Sequence, residues 1–296
     1  MFKGIFTALI TPFKSGEVDY KAFENLINWQ IESGVHGLIV AGTTGEGPSL
    51  KDEEFLQLVK LAIKIANGRV PIIANTGLNS TSTSIELTKA AEKLKVDGVM
   101  LISPYYVKPT QEGLYQHFKA IHDASNVPIL LYNNPPRTSV DLSNETLVRL
   151  SKLPRIKGLK DCSGNPIKCS QLKLMLDDDF DIVTGDDILA LPYYSQGAVG
   201  MVSAVANIVP SLTVKLYHLW SNNRIQDAIE LQTILLPLHE SLFCESNPIA
   251  IKYAASQFGI CTPELRLPLL GPSEHNKKLV LDVLEKLQMK LNEYSN

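Results

Sequence analysis

One unit recurs along this chain: a short, almost wholly apolar run followed by an amphipathic helical stretch. The runs span residues 4–13, 37–44, 71–77, 98–105, 128–135, 156–163, 181–187 and 197–207. Successive starts lie 16–34 residues apart, room for strand–helix–strand crossovers. Segments such as GLIVAG, PIIAN, GVMLIS and PILLY have no polar face. Such strands are buried on both sides, which means a parallel sheet under helices. Ser80-Thr81 and Thr110 precede helical patterns as N-caps, and Ser49 with Asp52 three residues later reads as a capping box. Asn67-Gly68 and Asp97-Gly98 read as helix stops or turns. Eight such units closed on themselves make an α/β fold, the (β/α)8 TIM barrel. An open doubly wound sheet is the competitor, but no GxGxxG follows the first run.

The strand signal stops at about residue 225. Residues 225–245, 247–258 and 273–291 read as helices, with Pro237 expected to kink the first and Pro248 placed in the first turn of the second. The expected division is a catalytic barrel over residues 1–224 and a C-terminal α-helical region, 225–296, packed on it.

Composition narrows the function classes. The formal net charge of −3 and the lack of a long Lys/Arg run argue against a nucleic-acid partner. No apolar stretch reaches the ~18 residues of a spanning helix, so no membrane role is expected. The N-terminal MFKGIFTALITPF reads as a first strand, because Thr7, Thr11 and Pro12 interrupt its apolar run. Cys162, Cys169, Cys244 and Cys261 form no C-x-x-C pair, which argues against a zinc ribbon or thioredoxin motif and suits a reducing cytoplasm. No metal site is expected: the six histidines show no ligand spacing, and Asp186 and Asp187 lack a visible third ligand.

In a barrel, chemistry sits at the C-terminal ends of the strands. Lys160 stands within an apolar strand, in phase with Gly158 and Cys162. If that phase faces the barrel axis, desolvation lowers its pKa, and a neutral amine can form a Schiff base with a ketone. The plainer alternative is a lysine paired with an acidic neighbour. Thr43 and Thr44, in GTTGEG, can hold a small carboxylate through backbone N–H groups and hydroxyls, or simply form a βα turn. Tyr132 ends a strand and can pass a proton, or serve as an ordinary core tyrosine. Arg137, behind Pro135 and Pro136, can grip a carboxylate bidentately, or lie solvated in its loop.

Taken together, GTTGEG, SPYYVKPTQEGLYQHFKAI, YNNPPRT, GLKDCSGN, TGDD and FCESNPIAIKYA resemble the dihydrodipicolinate synthase family, within the N-acetylneuraminate lyase superfamily. The resemblance runs from GIFTALITPF to ELRLPLLGP, nearly the whole chain. It implies a Schiff-base-forming lyase of the diaminopimelate and lysine biosynthesis pathway that condenses pyruvate with L-aspartate-4-semialdehyde. Lys160 would form the pyruvate imine, and Thr43 and Thr44 would bind the pyruvate carboxylate. Tyr132, Thr44 and Tyr106 would form a proton relay, with Tyr106 contributed across the tight interface of a homotetramer, a dimer of dimers. Arg137 would bind the semialdehyde carboxylate, while Gly185 and Val202 would shape the pocket. No metal or organic cofactor is implied, because the imine itself is the electron sink.

Another pyruvate-dependent class I aldolase, of the sugar-acid or N-acetylneuraminate lyase type, is the alternative, and Arg137 favours the semialdehyde. A barrel that binds a keto acid without turnover is a third reading. The chain departs from many family members at Asn134 and Pro136, where Val and Ser are common, and at Asp161-Cys162. Lys51, Asp52, Phe55 and Thr83 occupy places where lysine-inhibited members carry histidines and an acidic residue, so weak or absent lysine feedback is expected. Strong inhibition by sub-millimolar lysine would contradict this.

Overall fold

The computed structural model describes residues 1–294. Eight strands form the barrel: β1 (Gly4–Ala8), β2 (Gly37–Val40), β3 (Ile72–Asn75), β4 (Gly98–Ile102), β5 (Ile129–Asn133), β6 (Ile156–Asp161), β7 (Asp181–Thr184) and β8 (Gly200–Ser203). They pair in parallel in chain order, and β1 closes the ring against β8, with Phe6 opposite Val202. Each strand lies inside one of the eight apolar runs, and each is shorter than its run. Much of the remainder is loop: after β2 the chain turns at Ala41, in the left-handed region at φ 57°, and enters the glycine-rich segment.

Helices alternate with the strands: α1 (Tyr20–Glu32), α2 (Asp52–Ala66), α3 (Thr81–Lys93), α4 (Gln111–Ala124), α5 (Asn144–Ser151), α6 (Ile167–Lys173), α7 (Ala190–Ser195) and α8 (Pro210–Ser221). A four-residue helical turn, Pro135–Thr138, follows β5, and a two-stranded hairpin, Phe13–Lys14 with Glu17–Val18, follows β1. Ser80 and Thr110 cap α3 and α4, each accepting from a backbone N–H three residues on. Asn67 ends α2 in the left-handed conformation.

Two expected signals resolve differently. The cap of α2 is Lys51, whose backbone N–H donates to Glu54 Oε2 at 2.9 Å, so Ser49 and Asp52 form no capping box. Ser49 instead closes a 3-10 turn that carries Pro48. Asp97 is no helix stop: α3 ends before Lys95, at φ 64°, and the Asp97 carboxylate accepts from the N–H of Ile72 on the next strand.

Two cores result from the strand period of two. Leu38, Val40, Leu131, Leu159 and Ile182 point outward under the helices. Phe6, Ile39, Met100, Leu130, Val183 and Val202 fill the barrel interior, with Tyr132 and Cys162 above them. Beyond α8 the chain is helical: α9 (Ile225–Leu242), α10 (Ile249–Gln257) and α11 (Glu274–Tyr294), with Pro237 inside α9 and Pro248 at the N-cap of α10. These helices contact one another and the barrel's helices. None of the described helices is long and apolar enough to cross a membrane.

Candidate active site

The phase of β6 decides the site. Leu159 faces the helices, so Lys160 must face the axis, where its neighbour in register on β5 is Tyr132. Lys160 is 6 % exposed, and its Nζ lies 4.0 Å from the centroid of the Tyr132 ring. Among the described residues no carboxylate forms an ion pair with it. Burial pulls its pKa below the ordinary lysine value, against the opposing charges of Asp186 and Asp187. An amine so held is poised to add to a carbonyl.

Gly185 makes room for this lysine. A Cβ built there would fall inside contact distance of Lys160 Cε and Cys162 Sγ. Around them opens a cavity of about 290 Å³ at the C-terminal ends of the strands, the face where barrel sites form. Thr43, Thr44, Tyr132, Arg137, Gly185 and Val202 all line it with Lys160. Tyr106 does not. It is 88 % exposed, on a loop residue in the left-handed region at φ 72°.

Several contacts in the cavity carry no obvious sequence signal. The Asn134 amide donates to Tyr132 Oη at 2.6 Å. Asn247, between α9 and α10, donates through Nδ2 to Thr44 Oγ1 at 3.0 Å, while its carbonyl accepts from Arg137 Nη2 at 3.0 Å. Asn247 therefore binds both carboxylate-binding candidates to the helical region, and only the fold brings it there. Below it, Lys252 of α10 pairs with Glu46 of the GTTGEG loop at 2.7 Å, both side chains fully buried. Glu46 Oε2 also accepts the backbone N–H of Arg266 at 3.0 Å.

The acidic residues near Lys160 have separate environments. Asp161 accepts from Asn133 Nδ2 at 2.8 Å and from the hydroxyls of Ser163 and Tyr193 at 2.6 Å each. Asp187 accepts from the Ser203 hydroxyl and the Ala204 N–H, so its carboxylate anchors the loop after β8. Asp186 lines the cavity; burial lifts its pKa to about 6, against the attraction of Lys160. Burial likewise raises the Tyr132 phenol well above its ordinary value, opposed by Asn134, Arg137 and Thr43. Cys162 is buried beside Lys160 with its thiol pushed far up by desolvation, which leaves it protonated.

The model of the dihydrodipicolinate synthetase family matches residues 1–287. The chain belongs to this family. Among relatives, the 4-hydroxy-tetrahydrodipicolinate synthase of Rickettsia typhi is 46 % identical over 291 residues, covering 98 % of this chain and 99 % of the relative. The structure of the 4-hydroxy-tetrahydrodipicolinate synthase from Methylacidiphilum fumariolicum superposes with a TM-score of 0.97 at 42 % identity, covering 99 % of this chain and 98 % of that one. A dihydrodipicolinate synthase from Acinetobacter baumannii, crystallised complexed with pyruvate, gives a TM-score of 0.95 at 42 % identity, covering 97 % of this chain and 99 % of that one. Membership in the dihydrodipicolinate synthetase family accords with the eight-stranded barrel and with the family resemblance read from the motifs.

Proposed function

We propose that this chain is a pyruvate-dependent lyase with 4-hydroxy-tetrahydrodipicolinate synthase activity. The observation that carries the reading is Lys160, a buried amine with no carboxylate ion pair among the described residues, inside a cavity lined by Thr43, Thr44, Tyr132 and Arg137. Its relatives bear the name of this activity, and the Acinetobacter baumannii neighbour was crystallised with pyruvate.

The chemistry runs as follows. Pyruvate enters with its carboxylate on the Thr43 and Thr44 groups. The Lys160 amine adds to the keto carbon, water leaves, and a protonated imine forms. This imine withdraws electrons, so the methyl carbon loses a proton and becomes an enamine. The enamine carbon attacks the aldehyde carbon of L-aspartate-4-semialdehyde, whose carboxylate Arg137 holds at the rim. The substrate's own amine then displaces Lys160 as the ring closes. Tyr132 and Thr44 pass protons, with Tyr106 of a neighbouring subunit completing the relay. The exposure of Tyr106 and its absence from the cavity of its own chain support that last role. No metal or organic cofactor enters this scheme. A homotetramer in the cytoplasm is the proposed working form, and four unpaired cysteines accord with a reducing compartment.

Incubation with pyruvate and borohydride, followed by peptide mass spectrometry, tests the scheme. A reduced adduct on Lys160 is expected, and its absence overturns the reading. Arg137→Ala should damage turnover with the semialdehyde far more than adduct formation. Equal loss in both would reject the role of Arg137 on the semialdehyde carboxylate.

A further inference from the structure

We propose that Asn134 is a positioning residue for proton transfer: its amide fixes the Tyr132 phenol so that the phenolic O–H points into the cavity. The inference rests on the proposed role of Tyr132 and goes beyond it, to a residue that acts only through the Tyr132 phenol.

The local structure releases this side chain for the task. Asn134 is the N-cap of the turn Pro135–Thr138, a position where Asn normally turns back to accept a backbone N–H. Here it makes no such bond. The first two residues of the turn are prolines and offer no N–H. The N–H groups of Arg137 and Thr138 bond to the Asn134 carbonyl instead, both at 3.0 Å, and the Thr138 hydroxyl donates to the same oxygen at 3.0 Å. The backbone of Asn134 is thereby held from three sides while its carboxamide is free to turn inward.

Turned inward, the amide meets Tyr132 Oη at 2.6 Å, with both residues buried. A phenol oxygen donates one hydrogen and accepts others. Asn134 engages an accepting site, so the proton of Tyr132 cannot point at Asn134 and must lie on another side of the oxygen. The other side-chain hydrogen-bond neighbours of this phenol, Thr43 and Cys162, both line the cavity. The same amide also favours any negative charge that gathers on the phenol during transfer, since N–H groups stabilise phenolate. Substitution at residue 134 should therefore slow proton transfer without emptying the pocket of pyruvate.

The test uses Asn134→Val, which removes the donor, and Asn134→Asp, which keeps the shape and replaces the donor by an acceptor. Two readouts are taken: turnover, and exchange of pyruvate methyl hydrogens with deuterated water followed by NMR. Asn134→Val should lower both by about tenfold, the effect of losing roughly one hydrogen bond, with KM for pyruvate within about twofold of the parent. Asn134→Asp should lose more, because its carboxylate draws the phenolic proton away from the cavity. Repeating Asn134→Val in a Tyr132→Phe chain should cost less than about twofold, since no phenol remains to be aimed. An undiminished loss in that background overturns the proposal, as does full exchange in Asn134→Asp. Borohydride trapping of pyruvate by the parent protein separates the two levels. With no Lys160 adduct the underlying reading fails; with an adduct and no coupling, Asn134 alone is misassigned.

Discussion

At the scale of single residues, this site depends on what surrounds one amine. Gly185 leaves the volume that Lys160 occupies, so Gly185→Ala must push the lysine aside or open the loop after β7. We expect that variant to lose pyruvate trapping while remaining folded, as trapping mass and melting temperature together would show. Two histidines away from the site set the acid limit of the fold. His117 and His239 are buried, each with one ring nitrogen that has no hydrogen-bond partner among the described residues. Desolvation lowers both pKa values to about 4. The unfolded chain, titrating near 6.5, therefore takes up their protons first as pH falls. Stability should be flat above pH 7 and decline between about pH 6.5 and pH 4, by roughly 2 kcal/mol for each histidine by pH 5. Urea unfolding at pH 7 and pH 5 measures this, and His117→Asn with His239→Asn should flatten the dependence. An unchanged pH profile in the double variant would reject the assignment.

Among the elements, the decisive contact joins the loop after β2 to α10. Glu46 adopts a left-handed conformation at φ 52°, and its carboxylate is buried against Lys252. Breaking one side of such a pair leaves an uncompensated charge and costs about 3–5 kcal/mol, whereas neutralising both sides costs less. Lys252→Met should therefore destabilise the protein more than Lys252→Met with Glu46→Gln, in chemical unfolding and in affinity for pyruvate alike. If the double variant were the less stable, the pair would not be acting through its charges. Nothing local in the sequence announces this pairing, since 206 residues separate the partners. The helix starts at Ser80 and Thr110, by contrast, were readable because an N-cap bonds only three residues ahead. The misread start at Ser49 shows the limit of that logic. Pro48 and the compact turn around it move the cap two residues on, to Lys51.

For the whole molecule, the exposed Tyr106 makes assembly a functional question. A tyrosine that a neighbouring subunit needs should support activity in trans. We expect Tyr106→Phe to lose most of its turnover, and a mixed assembly with a Lys160→Ala chain to recover part of it, because some sites then combine an intact lysine with an intact tyrosine. Mixing without recovery would confine each site to its own chain. The order of strands, the phase that sends Lys160 inward, and the residues Thr43, Thr44, Tyr132 and Arg137 could all be read from the sequence. Period-two burial and strand-end position are local properties of a chain. Folding alone decided that Asn247 binds Thr44 and Arg137 together and that Lys252 meets Glu46. Those are polar contacts made by burial, and which partner a buried polar group finds depends on packing between segments far apart in the chain.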